Sequence, residues 1–316
     1  MFNNNRLRVI YNFNIQIMLK RTLLIENKAS ISCKNLQLVI KTDTKESTIP
    51  IEDIGFLVID NPEIYFSITA LNVMVEHNAA VIFCSKNHLP NAMLLNLNSH
   101  HIQQEIFRNQ IDASLPLKKQ LWQQTIVEKI KNQGILLEKI SGQKNAFEFF
   151  SSKVLSGDTS NMEGVAAQQY WKSFFETKFK RERFGDYPNN FLNYGYAILR
   201  AATARSLSGS GLLNTLGIHH KNKYNAFALA DDIMEPFRPI VDEKVFEIMQ
   251  NFEEQELNSK IKSELLQILT RTVYFKDEKS TLMIALQKTA SSLQQCFMGE
   301  RKRIKYPKLW NSTGIE

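Results

Sequence analysis

The sequence predicts an α+β protein: a small β-rich N-terminal domain followed by a larger, mainly α-helical domain. Two textures carry that expectation. From Thr22 to about Leu97, apolar residues fall in short runs: Leu23–Ile25, Leu36–Ile40, Ile54–Ile59, Val81–Cys84 and Met93–Leu97. Turn-forming groups such as Glu26-Asn27-Lys28 and Asp60-Asn61-Pro62 part these runs, which is the pattern of strands. One amphipathic helix interrupts them, Ile64 to His77, with Ile68, Leu71 and Val75 on one stripe. After Asn98 the apolar period lengthens. Gln103 to Lys139 is rich in Gln, Lys, Leu and Ile with Pro116 as its breaker, and most segments from there to Met298 read as helices.

The boundary falls at residues 98–104. It separates a β-rich domain, 18–100, from a helical domain, 104–300, and a basic, loose tail, 301–316. Met18 opens the regular pattern, so residues 1–17 read as an appended extension. They read alternatively as an extra edge strand, since Val9, Ile10, Phe13, Ile15 and Ile17 partly alternate. No internal repeat is found.

Composition excludes several classes. An apolar content of 43% and a charged content of 22% describe a globular chain, neither disordered nor fibrous. No apolar stretch suits a membrane span, and the first residues lack the pattern of a signal peptide. Cys33, Cys84 and Cys296 are odd in number and widely spaced, without a Cys-x-x-Cys pair. That argues against a disulfide framework or a cysteine zinc site and fits a reducing cytoplasm. The net charge of +7 is compatible with a nucleic-acid partner without specifying one.

Two motifs carry candidate chemistry. In the first, Gly157, Asp158, Ser160 and Asn161 form a turn that opens a helix. Ala167, Tyr170, Trp171, Phe174 and Lys178 follow helical spacing from Glu163, so Glu163 points towards the packed face. A buried carboxylate needs a compensating partner, and a divalent cation is one. The alternative is a capping box, Ser160-x-x-Glu163, in which the glutamate only serves the helix start.

The second motif is Gly217-Ile-His-His-Lys-Asn followed by Asp231-Asp-Ile-Met-Glu-Pro-Phe-Arg-Pro. It joins His219 and His220 in a loop to a short helix that Asn225 would cap. Asp232 and Glu235, three apart, share a face, and Asp231 points elsewhere. Pro236 puts Glu235 at a helix end or kink. Histidine, aspartate and glutamate from a loop and a helix can supply metal ligands. They can also be an ordinary solvated face, with Arg238 as a salt-bridge partner.

Basic residues surround these acids: Lys178, Lys180, Arg181 and Arg183 after the first helix, Arg200 and Arg205 on a helix over Phe191–Leu207, then Lys221, Lys223 and Arg238. Cations near acidic ligands suit a phosphodiester held against a metal. Tyr170, Trp171, Tyr194 and Tyr196 read as core. No plausible Ser/His/Asp or Cys/His nucleophile set is present.

Together the motifs Ser-Gly-Asp-x-x-Asn-x-Glu-Gly-x-Ala-Ala-x-x-Tyr around Glu163 and Gly-Ile-His-His with Asp-Asp-Ile-Met-Glu-Pro-Phe-Arg-Pro around His220 and Glu235 resemble the CRISPR-associated adaptation integrases. The likeness extends more weakly over residues 18–300, and the His-His-Lys-Asn-x-x-Asn spelling resembles variants found with type II systems. The resemblance implies a catalytic metal site of Glu163, His220 and Glu235. In some members an aspartate one turn earlier also contributes, and that position is Asp232.

It further implies a divalent cation. Mixed carboxylate and imidazole ligation suits Mn²⁺ at least as well as Mg²⁺. The implied partners are double-stranded DNA, a homodimer formed through the β domain, and a small ferredoxin-like adaptation subunit that two such dimers flank in a heterohexamer. Other type II CRISPR proteins could join them. The implied reaction is transesterification, in which the 3′-hydroxyl of a short duplex attacks a phosphodiester at the edge of a repeat array and inserts a new spacer. Two other readings compete: a general nuclease for branched or repair DNA using the same metal, and a non-catalytic DNA-holding scaffold whose acids balance nearby arginines.

Overall fold

The computed structural model describes residues 20–311, apart from 97, 176–178, 183, 184 and 277. Lys178, Arg183 and the edge strand envisaged for residues 9–17 lie outside the described residues. The N-terminal elements run β1 (Arg21–Ile25), β2 (Ala29–Lys34), β3 (Gln37–Lys41), β4 (Glu46–Pro50), β5 (Ile54–Ile59), β6 (Ile64–Phe66), α1 (Ile68–Glu76), β7 (Ala80–Cys84) and β8 (Pro90–Leu94).

They form two four-stranded sheets. One has the order β1-β5-β7-β8, with β1, β5 and β7 parallel and β8 antiparallel. The other, β4-β3-β2-β6, is antiparallel except for β2 against β6. Strand β5 is buried on both faces, as its unbroken apolar run requires. Leu57 and Ile59 enter the core between the sheets, and Phe56 and Val58 enter the helical core behind. The two domains expected from the sequence therefore share one wall.

The helix expected over Ile64 to His77 is shorter. Ile64–Phe66 is a strand paired with β2, and Ser67 caps α1 by accepting the Ala70 N–H at 3.2 Å. The buried face of α1 is Ala70 and Met74, whereas Ile68 is exposed, so the stripe of large residues did not set its phase.

The helical part comprises α2 (Gln103–Ile111), α3 (Leu115–Ser141), α4 (Phe147–Ser152), α5 (Met162–Phe174), α6 (Asn189–Gly209), α7 (Ala228–Met234), α8 (Arg238–Asn251), α9 (Ser259–Leu266), the hairpin β9 (Thr272–Phe275) and β10 (Glu278–Thr281), and α10 (Leu282–Phe297). Pro116 starts α3 rather than breaking it: it sits in the first turn, where its missing N–H costs nothing. Helix α6 is the axis of this part, packed on α7, α8, α9 and α10 and against β7 and β8. No helix among the described residues is long and apolar enough to cross a membrane.

Over residues 301–311 the basic tail is not loose. Ile304, Pro307 and Leu309 are buried. The Tyr306 hydroxyl lies 2.9 Å from Thr125 Oγ1, Lys308 pairs through its backbone with Tyr274, and Trp310 Nε1 donates to Glu243 at 3.0 Å. Apolar residues interleaved with the cations tie the segment down.

Close packing on the axis makes a test. A Cβ added at Gly195 of α6 would lie 2.5 Å from Val241 Cγ1 of α8, a stiff branched side chain. Alanine is the better helix former by about 1 kcal/mol, yet overpacking costs about 1–3 kcal/mol. Gly195→Ala should therefore lower the thermal midpoint, and adding Val241→Ala should recover part of the loss. A midpoint raised by the single change would show that the helices can move apart freely.

Candidate active site

Three elements meet at the site, and α3 organises them. Ser114 caps this helix, accepting the Leu117 N–H at 3.3 Å. Its inner stripe runs Trp122, Ile126, Lys129 and Gln133, all buried. Lys129 thus carries a charge into an otherwise apolar wall.

Helix α5 brings Glu163. Its approach turn uses the left-handed region three times, at Gly157 (φ 74°), Asp158 (φ 50°) and Asn161 (φ 51°), residue types that tolerate it. The Asp158 carboxylate accepts the N–H groups of Met162 at 2.9 Å and Glu163 at 3.0 Å. Asp158, not a Ser160–Glu163 box, satisfies the helix start. The Glu163 side chain instead turns inward, with Oε1 2.6 Å from Lys129 Nζ.

The α7–α8 junction brings Glu235. Helix α7 ends at Met234 and a 3-10 turn, Glu235–Phe237, precedes α8, the kink expected from Pro236. Asn132 of α3 pins that turn by donating to the Pro236 carbonyl at 2.8 Å. Glu235 Oε1 accepts from Arg238 Nε at 2.7 Å, and Oε2 lies 2.6 Å from Lys129 Nζ. Burial alone would push this carboxyl up, but the charges of Arg238 and Lys129 outweigh it and hold the pKa at about 2.

Asp232 serves the histidine loop. It is fully buried, and its oxygens accept the N–H groups of His219 at 2.9 Å and His220 at 3.2 Å, while His220 Nδ1 bonds Oδ1. Fixing Nδ1 presents Nε2 as the nitrogen free to ligate, the usual way a carboxylate orients a ligand imidazole. That hydrogen bond is also the first cause of a raised His220 pKa. Gly217 is required here, because a Cβ would come within 2.6 Å of the His220 carbonyl and 2.8 Å of Asp232 Oδ2. His219 is committed elsewhere, stacked on Trp122 with centroids 4.1 Å apart. Asp231 faces away, paired with Arg200 at 2.6 Å and with Asn225 at 2.7 Å. Asn225 does not cap α7. Its side-chain Oδ1 accepts the N–H of Phe227, the residue that occupies the cap position.

The structure thus brings Glu163 and Glu235 to one point and holds His220 on the neighbouring loop. Among the described residues no three His, Cys, Asp or Glu are grouped closely enough to cage an ion by themselves. The donor set fits an open cation site nonetheless. Glu235 Oε2 is buried without a properly directed hydrogen bond, and two hard carboxylate oxygens face the same spot. Mg²⁺ and Mn²⁺ sites of this kind are completed by water and substrate phosphate.

Of the expected phosphate-binding residues, Arg181, Arg200 and Arg238 line one cavity of about 480 Å³ with Asn91 and Asn193. Lys221, Lys223 and His220 line another, of about 560 Å³, with Lys118. Lys180 is exposed and pairs with Glu182. Arg205 is different: it is buried at the shared wall, donating to the Asn78 carbonyl at 2.7 Å and lying over the Phe56 ring. Sequence reasoning missed Lys129 and Asn132. Their signal was polarity on an apolar stripe, Lys129 lying one turn after Ile126 and two after Trp122.

A family model described as CRISPR associated protein Cas1 matches residues 23–276. The chain belongs to the Cas1 family. Cas1 enzymes are the metal-dependent endonuclease/integrases of CRISPR spacer acquisition, and this chain is such an enzyme. It is 35% identical to the CRISPR-associated endonuclease Cas1 of Neisseria meningitidis serogroup C (strain 8013), over 92% of this chain and 96% of that protein. In fold it resembles a casposase bound to integration product, with a TM-score of 0.77, 20% identity and coverage of 94% and 96% of the two chains. It also resembles a Cas1 protein from Thermotoga maritima, with a TM-score of 0.72, 18% identity and coverage of 89% and 98%.

Beneath the candidate site of this Cas1 chain, Tyr196 stacks under Arg238, and the hydroxyls of Tyr196 and Tyr170 both donate to the buried Asp242, Tyr170 at 2.8 Å. Burial raises the Asp242 pKa to about 6 although both hydroxyls oppose it. The unfolded chain ionises this acid near 3.8 and the folded one near 6, so this group's contribution to stability falls as pH rises through that window. Tyr170→Phe removes one donor to the carboxylate and raises that pKa further. The loss should be about 1.5–3 kcal/mol at pH 8 and about 1 kcal/mol at pH 5, where the acid is neutral. Thermal midpoints across this range check it, and a gap between variant and wild type that stays constant with pH would contradict it.

Proposed function

We propose that Glu163, His220 and Glu235 hold a divalent cation, Mg²⁺ or Mn²⁺, against a DNA phosphodiester, and that a duplex 3′-hydroxyl displaces the leaving 3′-oxygen there to insert a spacer. The observation that carries this reading is the meeting of two carboxylates from different helices within 2.6 Å of one point, in a chain of the Cas1 family. The ion, when bound, would offset negative charge on the phosphoryl oxygens of the attacked phosphodiester and activate the attacking or departing oxygen.

The protein's own groups do the rest. Asp158 fixes the first turn of α5 and so the direction of Glu163. Asn132 fixes the Glu235 turn. Asp232 holds the His220 ring with Nε2 outward. Arg238 neutralises one oxygen of Glu235 and leaves the other for the site. Arg181 and Arg200, half-exposed beside it, and Lys221 and Lys223 around His220 offer positive charge to the phosphates on either side. Among the described residues no side chain is placed to attack phosphorus itself, which suits direct displacement by a hydroxyl of DNA or, in hydrolysis, by water.

Relatives of this fold have been solved as a Cas1–DNA complex and within a Cas6-RT-Cas1–Cas2 complex. They support DNA and a Cas2 subunit as partners, which we read as double-stranded DNA and the small ferredoxin-like subunit. We place the chain in a homodimer formed through its β domain, two of which flank a dimer of that subunit in a heterohexamer acting in the cytoplasm.

Glu163→Ala tests the reading. Losing a carboxylate that holds the ion should slow joining and cleavage by a factor of thousands or more. Duplex binding rests on dispersed cations, so it should persist with its steep salt dependence. Near-normal joining with Mn²⁺ by a variant that remains folded would reject the site.

A further inference from the structure

The electrostatics of Lys129 set a condition on how the ion enters. Its Nζ stands 2.6 Å from Glu163 Oε1 and 2.6 Å from Glu235 Oε2, on a side chain that is 10% exposed. It occupies the place between the two carboxylates where their oxygens converge. A divalent ion bound to the same oxygens would sit about 2.0–2.2 Å from each. Ammonium and ion cannot share that space, both because the atoms overlap and because like charges a few ångströms apart repel strongly where water is scarce.

We propose that Lys129 is a built-in counter-cation that holds the two carboxylates together before the ion arrives and is displaced when it binds. The inference rests on the assignment of Glu163 and Glu235 as ligands.

Three observations support exchange rather than permanent pairing. The contact to Glu235 Oε2 is a close ion pair held chiefly by charge, which a divalent ion can replace. Arg238 already neutralises Glu235 through Oε1, so Glu235 keeps a partner when Lys129 leaves. Asn132 anchors α3 to the Pro236 carbonyl one turn from Lys129, so the backbone can stay while the flexible butyl-ammonium arm swings.

Charge counting gives the consequence. Two carboxylates with Lys129 and Arg238 are neutral, and a divalent ion added to them leaves an excess of two positive charges. A phosphodiester at the mouth offsets part of that excess, and the displaced ammonium can turn towards its oxygens. Ion and DNA should therefore bind cooperatively, each weaker alone.

The test is Mn²⁺ affinity of the full chain, measured by titration calorimetry or by the loss of the free-Mn²⁺ EPR signal, without DNA. Lys129→Met removes the competitor and keeps the stem. We expect Mn²⁺ to bind about tenfold tighter or more, and the midpoint in chelator to fall while Mn²⁺ restores it more than in wild type. Unchanged or weaker Mn²⁺ binding by the folded variant would overturn the proposal, since the ammonium would then stand beside the ion rather than in its place. If Lys129→Met requires Mn²⁺ to fold, the chelator-driven off-rate decides: slower release than from wild type supports exchange, and equal or faster release refutes it. Glu163→Gln separates the two failures. If it leaves wild-type Mn²⁺ binding intact, the ligand assignment is wrong; if it abolishes binding and Lys129→Met changes nothing, only the exchange is wrong.

Discussion

Two carboxylates cannot be brought onto one buried point without positive charge at the same place, and the rest of this site follows from how that charge is supplied. Each ionised group removed from water costs several kcal/mol unless compensated. Glu235 is nearly fully buried and remains ionised because Arg238 and Lys129 flank it. Glu163, half-exposed at the mouth, shares the same lysine. The four charges come from α3, α5 and the α7–α8 junction, so the site exists only when these elements are packed together.

The neighbouring acids show how many carboxylates the fold of this site consumes. Asp158, Asp231, Asp232 and Asp242 are all near the chemistry, and each is occupied. Asp158 takes two backbone N–H groups, Asp231 takes Arg200 and Asn225, Asp232 takes the histidine loop, and Asp242 takes two tyrosines. A carboxylate already committed to fixed donors presents less charge to an incoming ion. Glu163 and Glu235 differ from these acids in meeting on one lysine, Lys129, from two elements.

Much of this was legible in the sequence, and the misses have physical causes. Strand β5 was read because six consecutive residues buried on both faces leave an unbroken apolar run. Strand β2, Ala29–Lys34, was missed because its partly exposed residues break the run. The phase of α1 was misjudged because small Ala70 and Met74, not the large Ile68, face the core. Glu163, His220 and Glu235 were singled out by motif, and the structure brings the two glutamates together on Lys129; the separation of Asp231 from Asp232 and Glu235 followed from helical geometry. The capping box matched by spacing alone. Which acid serves a helix start depends on the turn before it, and two left-handed non-glycine residues, Asp158 and Asn161, put Asp158 there instead. Lys129 was overlooked because a lysine is normally a surface residue. Its position on the stripe of Trp122 and Ile126 was the available sign.

The shared wall explains how a sheet domain can matter to chemistry on helices. Phe56, Val58, Ala80 and Ile82 on one side of the first sheet and the apolar face of α6 form a single core. The same helix carries Arg200, which faces the site, and Arg205, which is fastened to the Asn78 carbonyl at the end of α1. The two arginines lie five residues apart on one rigid rod, one reporting to each domain. Farther round the wall, Lys262 of α9 reaches the buried Asp60 after β5 at 2.6 Å, a second ionic tie across the same junction. Arg200 in turn pairs with Asp231 of α7, the helix that leads into the Glu235 turn, so one rod ties the wall of the β domain to the element that carries this carboxylate.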